Sequence, residues 1–181
     1  MKNKTSKLLV IDASIARSCG GENARHPTPK NCRDFLKAVL ELDYSMVMTS
    51  ELKQEWDKHQ STFARKWRVS MIAKKKFKYY ENVTLDELRK QIEECAENYK
   101  KREAMWKDIC LLEAAIITDK IVISLDEKVR QYFSEVSKDI PEIGIIIWLN
   151  PAKNKDQVII WLEDGAVLEQ ERQMRYYNKS V

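Results

Sequence analysis

The sequence predicts an α/β fold: a parallel sheet flanked by helices on both faces. Two observations carry that expectation. The stretch from Lys107 to Phe133, KDICLLEAAIITDKIVISLDEKVRQYF, reads as helix, short strand, helix. Its strand is the β-branched run Ile121, Val122, Ile123, the composition of a parallel strand covered on both sides. The second observation is the wider alternation along the chain of strand, helix, strand, helix, helix, strand, helix, strand, which builds such a sheet.

Lys7 to Ile11 (KLLVI) is the first strand, with Asp12 at its end and Ser14 two residues on. Asp12 either caps a following helix or belongs to a site, because open α/β sheets place ligands beyond the carboxyl ends of their strands. Gly20, Gly21, Pro27 and Pro29 mark a loop, and Arg25 and His26 within it read as solvated. Cys32 to Leu42 is amphipathic through Phe35, Leu36, Val39 and Leu40, and Met46 to Met48 is a second strand. Thr49 and Ser50 offer a cap for a long helical stretch running to Lys76. On it Glu51 and Glu55 share a face four residues apart, and Glu55 lies a turn deeper beside Trp56.

Residues 58–107 read as an inserted basic helical hairpin, with fourteen Lys and Arg against seven acids. No acid occurs between Asp57 and Glu81, where Lys58, Arg65, Lys66, Arg68, Lys74, Lys75, Lys76 and Lys78 alternate with Phe63, Trp67, Phe77, Tyr79 and Tyr80. Cations displace counterions from a polyanion and aromatic rings stack on bases, so this segment is the expected nucleic-acid contact. Thr84 and Glu87 stand at capping-box spacing before a further helix that continues toward Asp108. Asp108 is placed at the opening of the helix before the Ile121 strand, and Asp126 at the opening of the helix after it. Ile143 to Trp148 is a last strand, Asn150-Pro151 a turn, and Val158 to Leu162 a short buried helix closed by Gly165. Residues 1–165 form a single domain, and 166–181 a polar tail, frayed or disordered, with Arg172, Arg175 and Lys179.

Composition narrows the chemistry. A chain of 181 residues with 44% hydrophobic content supports one sizeable core. Four scattered cysteines without a CxxC pair, and two histidines, argue against zinc and for reduced thiols in a cytoplasm. No apolar run is long enough to span a bilayer, so no membrane partner is expected. There is neither a GxGxxG nor a Walker loop. A phosphotransferase of the haloacid-dehalogenase type would carry a second Asp where Ser14 stands. Asp12, Glu55, Asp108 and Asp126 remain. Carboxylates gathered in one place repel one another, and a hard divalent cation, Mg²⁺ or Mn²⁺, relieves that conflict through oxygen ligands alone.

These residues resemble a PIN-domain nuclease. LLVIDAS with Asp12, SELKQEW with Glu55, and KDICLLEAAIITDKIVISLD with Asp108 and Asp126 fall in that family's order and approximate spacing. Ser14 and Ser124 match its hydroxyl or amide positions, and IIWLNP resembles its final strand. The resemblance implies a PIN-like three-layer sandwich and metal-dependent cleavage of single-stranded RNA. Asp12, Asp108 and Asp126 would hold the ion, with Glu55 helping to hold a metal-bound water and Glu51 as the reserve acid. Ser14 and Ser124 would orient the carboxylates. It also implies an antitoxin partner where a member is a toxin, and homodimers as a frequent state. A catalytically inactive PIN-like nucleic-acid-binding protein is the alternative. His59, one turn beyond Glu55, reaches a phosphate or stays a surface histidine.

Overall fold

The computed structural model describes residues 6–21 and 26–177, so Arg25 and Lys179 lie outside the described residues. Five strands form one sheet: β1 (Leu8–Ile11), β2 (Ser45–Met48), β3 (Phe77–Tyr79), β4 (Ile121–Ile123) and β5 (Ile147–Leu149). Every pairing is parallel and the order is β3-β2-β1-β4-β5. The chain steps outward from β1 to β3, then restarts on the other side of β1 with β4 and β5. The order therefore reverses between β1 and β4, and a crevice opens beyond their carboxyl ends. Register pairs Val10 with Val122 and Ile11 with Ile123, which brings the residues after both strands side by side.

Nine helices connect the strands among the described residues: α1 (Ala13–Ser18), α2 (Pro27–Glu41), α3 (Ser50–His59), α4 (Thr62–Ala73), α5 (Asp86–Cys95), α6 (Tyr99–Ile116), α7 (Glu127–Val136), α8 (Pro141–Gly144) and α9 (Val158–Glu163). Helices α1, α2 and α4 pack on one another with α9 against α2, while α6 lies on β1 and β4 and packs with α5, α7 and α8. The core runs through the sheet: Leu9, Val10, Ile11, Met46, Val47, Met48, Ile121, Val122, Ile123, Ile147, Trp148 and Leu149 are all buried. The described helices include none long and apolar enough to cross a membrane.

Several elements differ from the sequence reading. The long helical stretch after Thr49 is two helices, broken at Gln60, which leaves helical geometry, and restarted at Ser61, whose hydroxyl accepts from the Ala64 N–H at 3.2 Å. Residues 58–107 are not a separate hairpin. They hold α4, the edge strand β3, α5 and the first half of α6, and Phe77 to Tyr79 pair with Met46 to Met48. Asp108 lies in the second half of α6 rather than at its start. The capping box at Thr84 does not form: α5 starts after Leu85, whose N–H donates to Glu113 Oε1 at 2.9 Å. Glu113 is buried and also takes Arg89 in a two-pronged pair at 2.6 and 2.8 Å, fixing α5 on α6. The last strand is shorter than expected because Pro141 starts a turn of helix first.

Residues 166–177 are ordered rather than frayed. Gln173 bridges Ile147 across the outer edge of β5, the Met174 side chain is buried, and Ser134 Oγ donates to the carbonyls of Met174 and Tyr177. Gly165, at φ 92°, ends α9 as expected, a left-handed conformation that favours glycine.

Candidate functional site

A cleft of about 510 Å³ opens at the reversal point of the sheet, and Asp12, Glu55, Asp108 and Asp126 all line it. Each arrives from a different element. Asp12 follows β1 directly, its N–H donating to the Ile123 carbonyl of β4 at 2.9 Å. It occupies the N-cap position of α1, yet its side chain makes no cap bond. Its Oδ2 instead accepts the hydroxyls of Ser14 at 2.5 Å and Ser124 at 2.8 Å. Asp126 does cap α7: Oδ1 accepts from the Val129 N–H at 2.9 Å, which commits one oxygen and leaves Oδ2. The fully buried Ser124 joins the two acids, since its hydroxyl also accepts the Asp126 N–H at 3.1 Å. Ser14 likewise accepts the Leu125 N–H at 3.2 Å. Two hydroxyls thus fix the orientation of Asp12 and tie the ends of β1 and β4 together.

Trp56 positions the third acid. Its indole N–H donates to the Ile11 carbonyl at 2.8 Å and its ring stacks on Trp67, so α3 is pinned to the end of β1 and the preceding residue, Glu55, reaches the cleft. Glu55 is half exposed and shared with Lys58 at 3.1 Å and His59 at 3.4 Å. Glu51 does not line the cleft. It is exposed and bonded to the Ser50 hydroxyl at 2.8 Å, and hydrogen bonds from its own backbone and from Ser50 hold its carboxyl below the usual range. The fourth acid, Asp108, is brought in by α6, which crosses β1 and β4. Burial first, then the charges of Asp12, Asp126 and Glu55, push its carboxyl up to about 7, against a smaller opposing pull from Lys107. A carboxyl so raised shows that the site concentrates negative charge in a poorly hydrated place.

The cleft holds residues that the sequence reading passed over. Glu127 is a fifth carboxylate on its wall. It is gripped from behind by Asn150 Nδ2 at 3.0 Å, the Tyr177 hydroxyl at 2.9 Å and Arg130 at 3.4 Å, and Arg130 lies over the Tyr177 ring at 4.1 Å. Arg130 is buried and also pairs with Asp156 at 3.1 Å. Arg17 and Lys128 line the same cleft, together with His59, which the sequence did single out. Only the position of Glu127, directly after a candidate acid, was visible in sequence. Its partners at 150 and 177 are long-range and left no periodic signal.

The expected nucleic-acid cations divide. Arg68 is bound to Asp57 at 2.7 Å and lies over Phe77, and Lys76 is held by the Leu40 carbonyl and by Asp43. Lys58 pairs with Glu55, while Arg65, Lys66, Lys74 and Lys75 are exposed on α4 and the turn beyond it. The aromatics among them are largely structural: Trp67 is buried and donates to the Leu36 carbonyl, Phe63, Phe77 and Tyr80 are partly buried, and Tyr79 is exposed.

The donor chemistry of the cleft suits a hard cation, since it offers carboxylate oxygens and hydroxyls with one histidine at the rim. Among the described residues no group of three or more His, Cys, Asp or Glu side chains stands close enough together to hold an ion unaided. Magnesium commonly binds through one or two carboxylates and keeps several waters, so an ion in this cleft would be largely hydrated. Cys110, near Asp108, offers no thiolate: burial and then Asp108 and Asp12 push it up to about 12. Comparison with protein-family models, with curated proteins and with solved structures finds no match to this chain.

Proposed function

We propose that this protein is a divalent-metal-dependent nuclease acting on single-stranded RNA, of the PIN-domain kind. The observation that carries the reading is the meeting of Asp12, Glu55, Asp108 and Asp126 in one cleft beyond the strands where the sheet order reverses, with the Asp108 carboxyl raised first by burial and then by the other three acids. Asp12, Asp108 and Asp126 would hold Mg²⁺ or Mn²⁺ directly or through bound water, with Glu55 supporting a bound water. Such an ion supplies charge neutralisation at the phosphate and a more acidic water. The chain's own residues prepare the place. Ser14 and Ser124 fix Asp12 in one rotamer, the α7 cap bond fixes Asp126, and Trp56 sets the depth of Glu55. Without an ion, burial and then the neighbouring acids raise the Asp108 carboxyl to about 7, so a cation binding there would displace its proton.

Cleavage of a labelled single-stranded RNA in Mg²⁺ or Mn²⁺, against a chelator control, tests the reading. Asp12→Asn and Asp126→Asn are expected to lower the rate by about 100-fold or more while the far-ultraviolet spectrum stays unchanged. An undiminished rate in either variant removes this site. Growth arrest on expression, relieved by Asp12→Asn, would extend the reading to a toxin with an antitoxin partner. The second reading is a nucleic-acid-binding protein without chemistry, favoured by the exposed cations of α4. Binding that survives a chelator, with no cleavage in any metal, selects it.

A further inference from the structure

The acids of the cleft are accompanied by two cations with no structural duty. Arg17 comes from α1, the element after β1, and Lys128 from α7, the element after β4, so they flank the reversal point from its two strands. Both are exposed, both line the cleft, and among the described residues neither forms an ion pair or a side-chain hydrogen bond. The cations of the basic segment behave otherwise. Arg68 and Lys76 brace the fold, Lys58 is paired with Glu55, and none of Arg65, Lys74 and Lys75 lines the cleft.

We propose that Arg17 and Lys128 form a phosphate-binding rim that seats single-stranded RNA across the cleft, one backbone phosphate at each. The identity of the ligand rests on the nuclease reading above. The physical need is plain: Asp12, Glu55, Asp108, Asp126 and Glu127 make the cleft repel a polyanion, and only cations within a Debye length, about 8 Å at physiological salt, offset that locally. Long side chains unpaired in the folded protein meet a phosphate without first breaking an ion pair. The α4 cations, outside the cleft, contribute to a general positive field and do not set where the strand lies.

The test is fluorescence anisotropy of a short fluorescein-labelled single-stranded RNA in Ca²⁺, across a KCl series, with the whole chain. Arg17→Ala/Lys128→Ala is compared with Arg65→Ala/Lys74→Ala/Lys75→Ala. The rim pair is expected to weaken binding about tenfold and to reduce the slope of log K against log salt by about 1.4, the loss of two single-strand phosphate contacts. The α4 triple is expected to change affinity by less than about twofold, and Arg17→Lys/Lys128→Arg to restore most of the binding. Unchanged affinity and slope in the rim pair, or a larger loss in the α4 triple, overturns the assignment. The nuclease reading fails separately: a wild-type chain that binds through the rim but cleaves in no metal keeps the rim and loses the chemistry.

Discussion

At the scale of single residues, the site is a problem of charge held in a confined space. Asp108 shows its cost, because a carboxyl with a folded pKa of about 7 binds its proton far more tightly than in the unfolded chain, where it titrates near 3.8. Between those two values the folded state holds the extra proton, so stability falls as pH rises through that window. The penalty is fully present above about pH 7 and, after allowance for solvent screening, is worth about 2 kcal/mol. Asp108→Asn is therefore expected to raise the melting temperature at about pH 8 and leave it nearly unchanged at about pH 4, where the wild-type carboxyl is already neutral. Thermal unfolding of both proteins across that range checks it. A constant difference at every pH would show that Asp108 carries no electrostatic strain.

At the scale of elements, the packing of the C-terminal segment decides how firmly the cleft wall is held. Tyr177 closes a chain of contacts through Glu127, Arg130, Asp156 and Asn150, joining the last described turn to α7 and to the end of β5. Tyr177→Phe keeps the ring over Arg130 and removes the hydroxyl bond to Glu127. It is expected to cost about 1 kcal/mol in urea unfolding and to leave the slope of the transition unchanged. A neutral substitution would mean that the segment does not brace Glu127. The same segment shows where sequence reading stops. Residues 166–177 are polar and aperiodic, and what orders them is the buried Ala166 and Met174, a backbone bridge to Ile147 and side chains that pair across more than twenty positions. No local pattern encodes such contacts. β3 escaped for a related reason: three residues, Phe77–Tyr79, on an exposed sheet edge carry no alternation long enough to separate them from the helix before. The strands that do read clearly, β1, β2 and β4, are largely buried, whereas β5, equally buried, read too early because the apolar run before it opens in α8. Asp12 was legible because it directly follows such a strand, Asp126 because it stands three residues past one at the start of a helix, and Glu55 through its neighbour Trp56. The register of Asp108 within α6 was not, since the charged first half of that helix hides its start.

At the scale of the molecule, the topology explains why residues so far apart in sequence meet at all. A sheet that grows in one direction from β1 and in the other from β4 leaves the ends of those two strands adjacent and uncovered, while α3 and α6 cross near them from elsewhere in the chain. The fold thus collects acids from four elements without any of them being neighbours, and it does so at a net stability penalty. A divalent cation that binds only this folded arrangement must return that stability by mass action. At a free Mn²⁺ concentration about 100 times its dissociation constant the gain is about 2.7 kcal/mol, or roughly 5–10 °C in melting temperature for a chain of this size. The shift is expected to be large at about pH 8 and small at about pH 5, because protons on Asp108 compete with the ion. Asp12→Asn/Asp126→Asn should abolish it at both, whereas Glu51→Gln, outside the cleft, should leave it intact. Differential scanning fluorimetry of the three proteins with Mn²⁺ reads this directly. A shift of equal size in all three would place the ion on the general surface, and the gathered acids would then be a strained feature of the fold without a metal to relieve them.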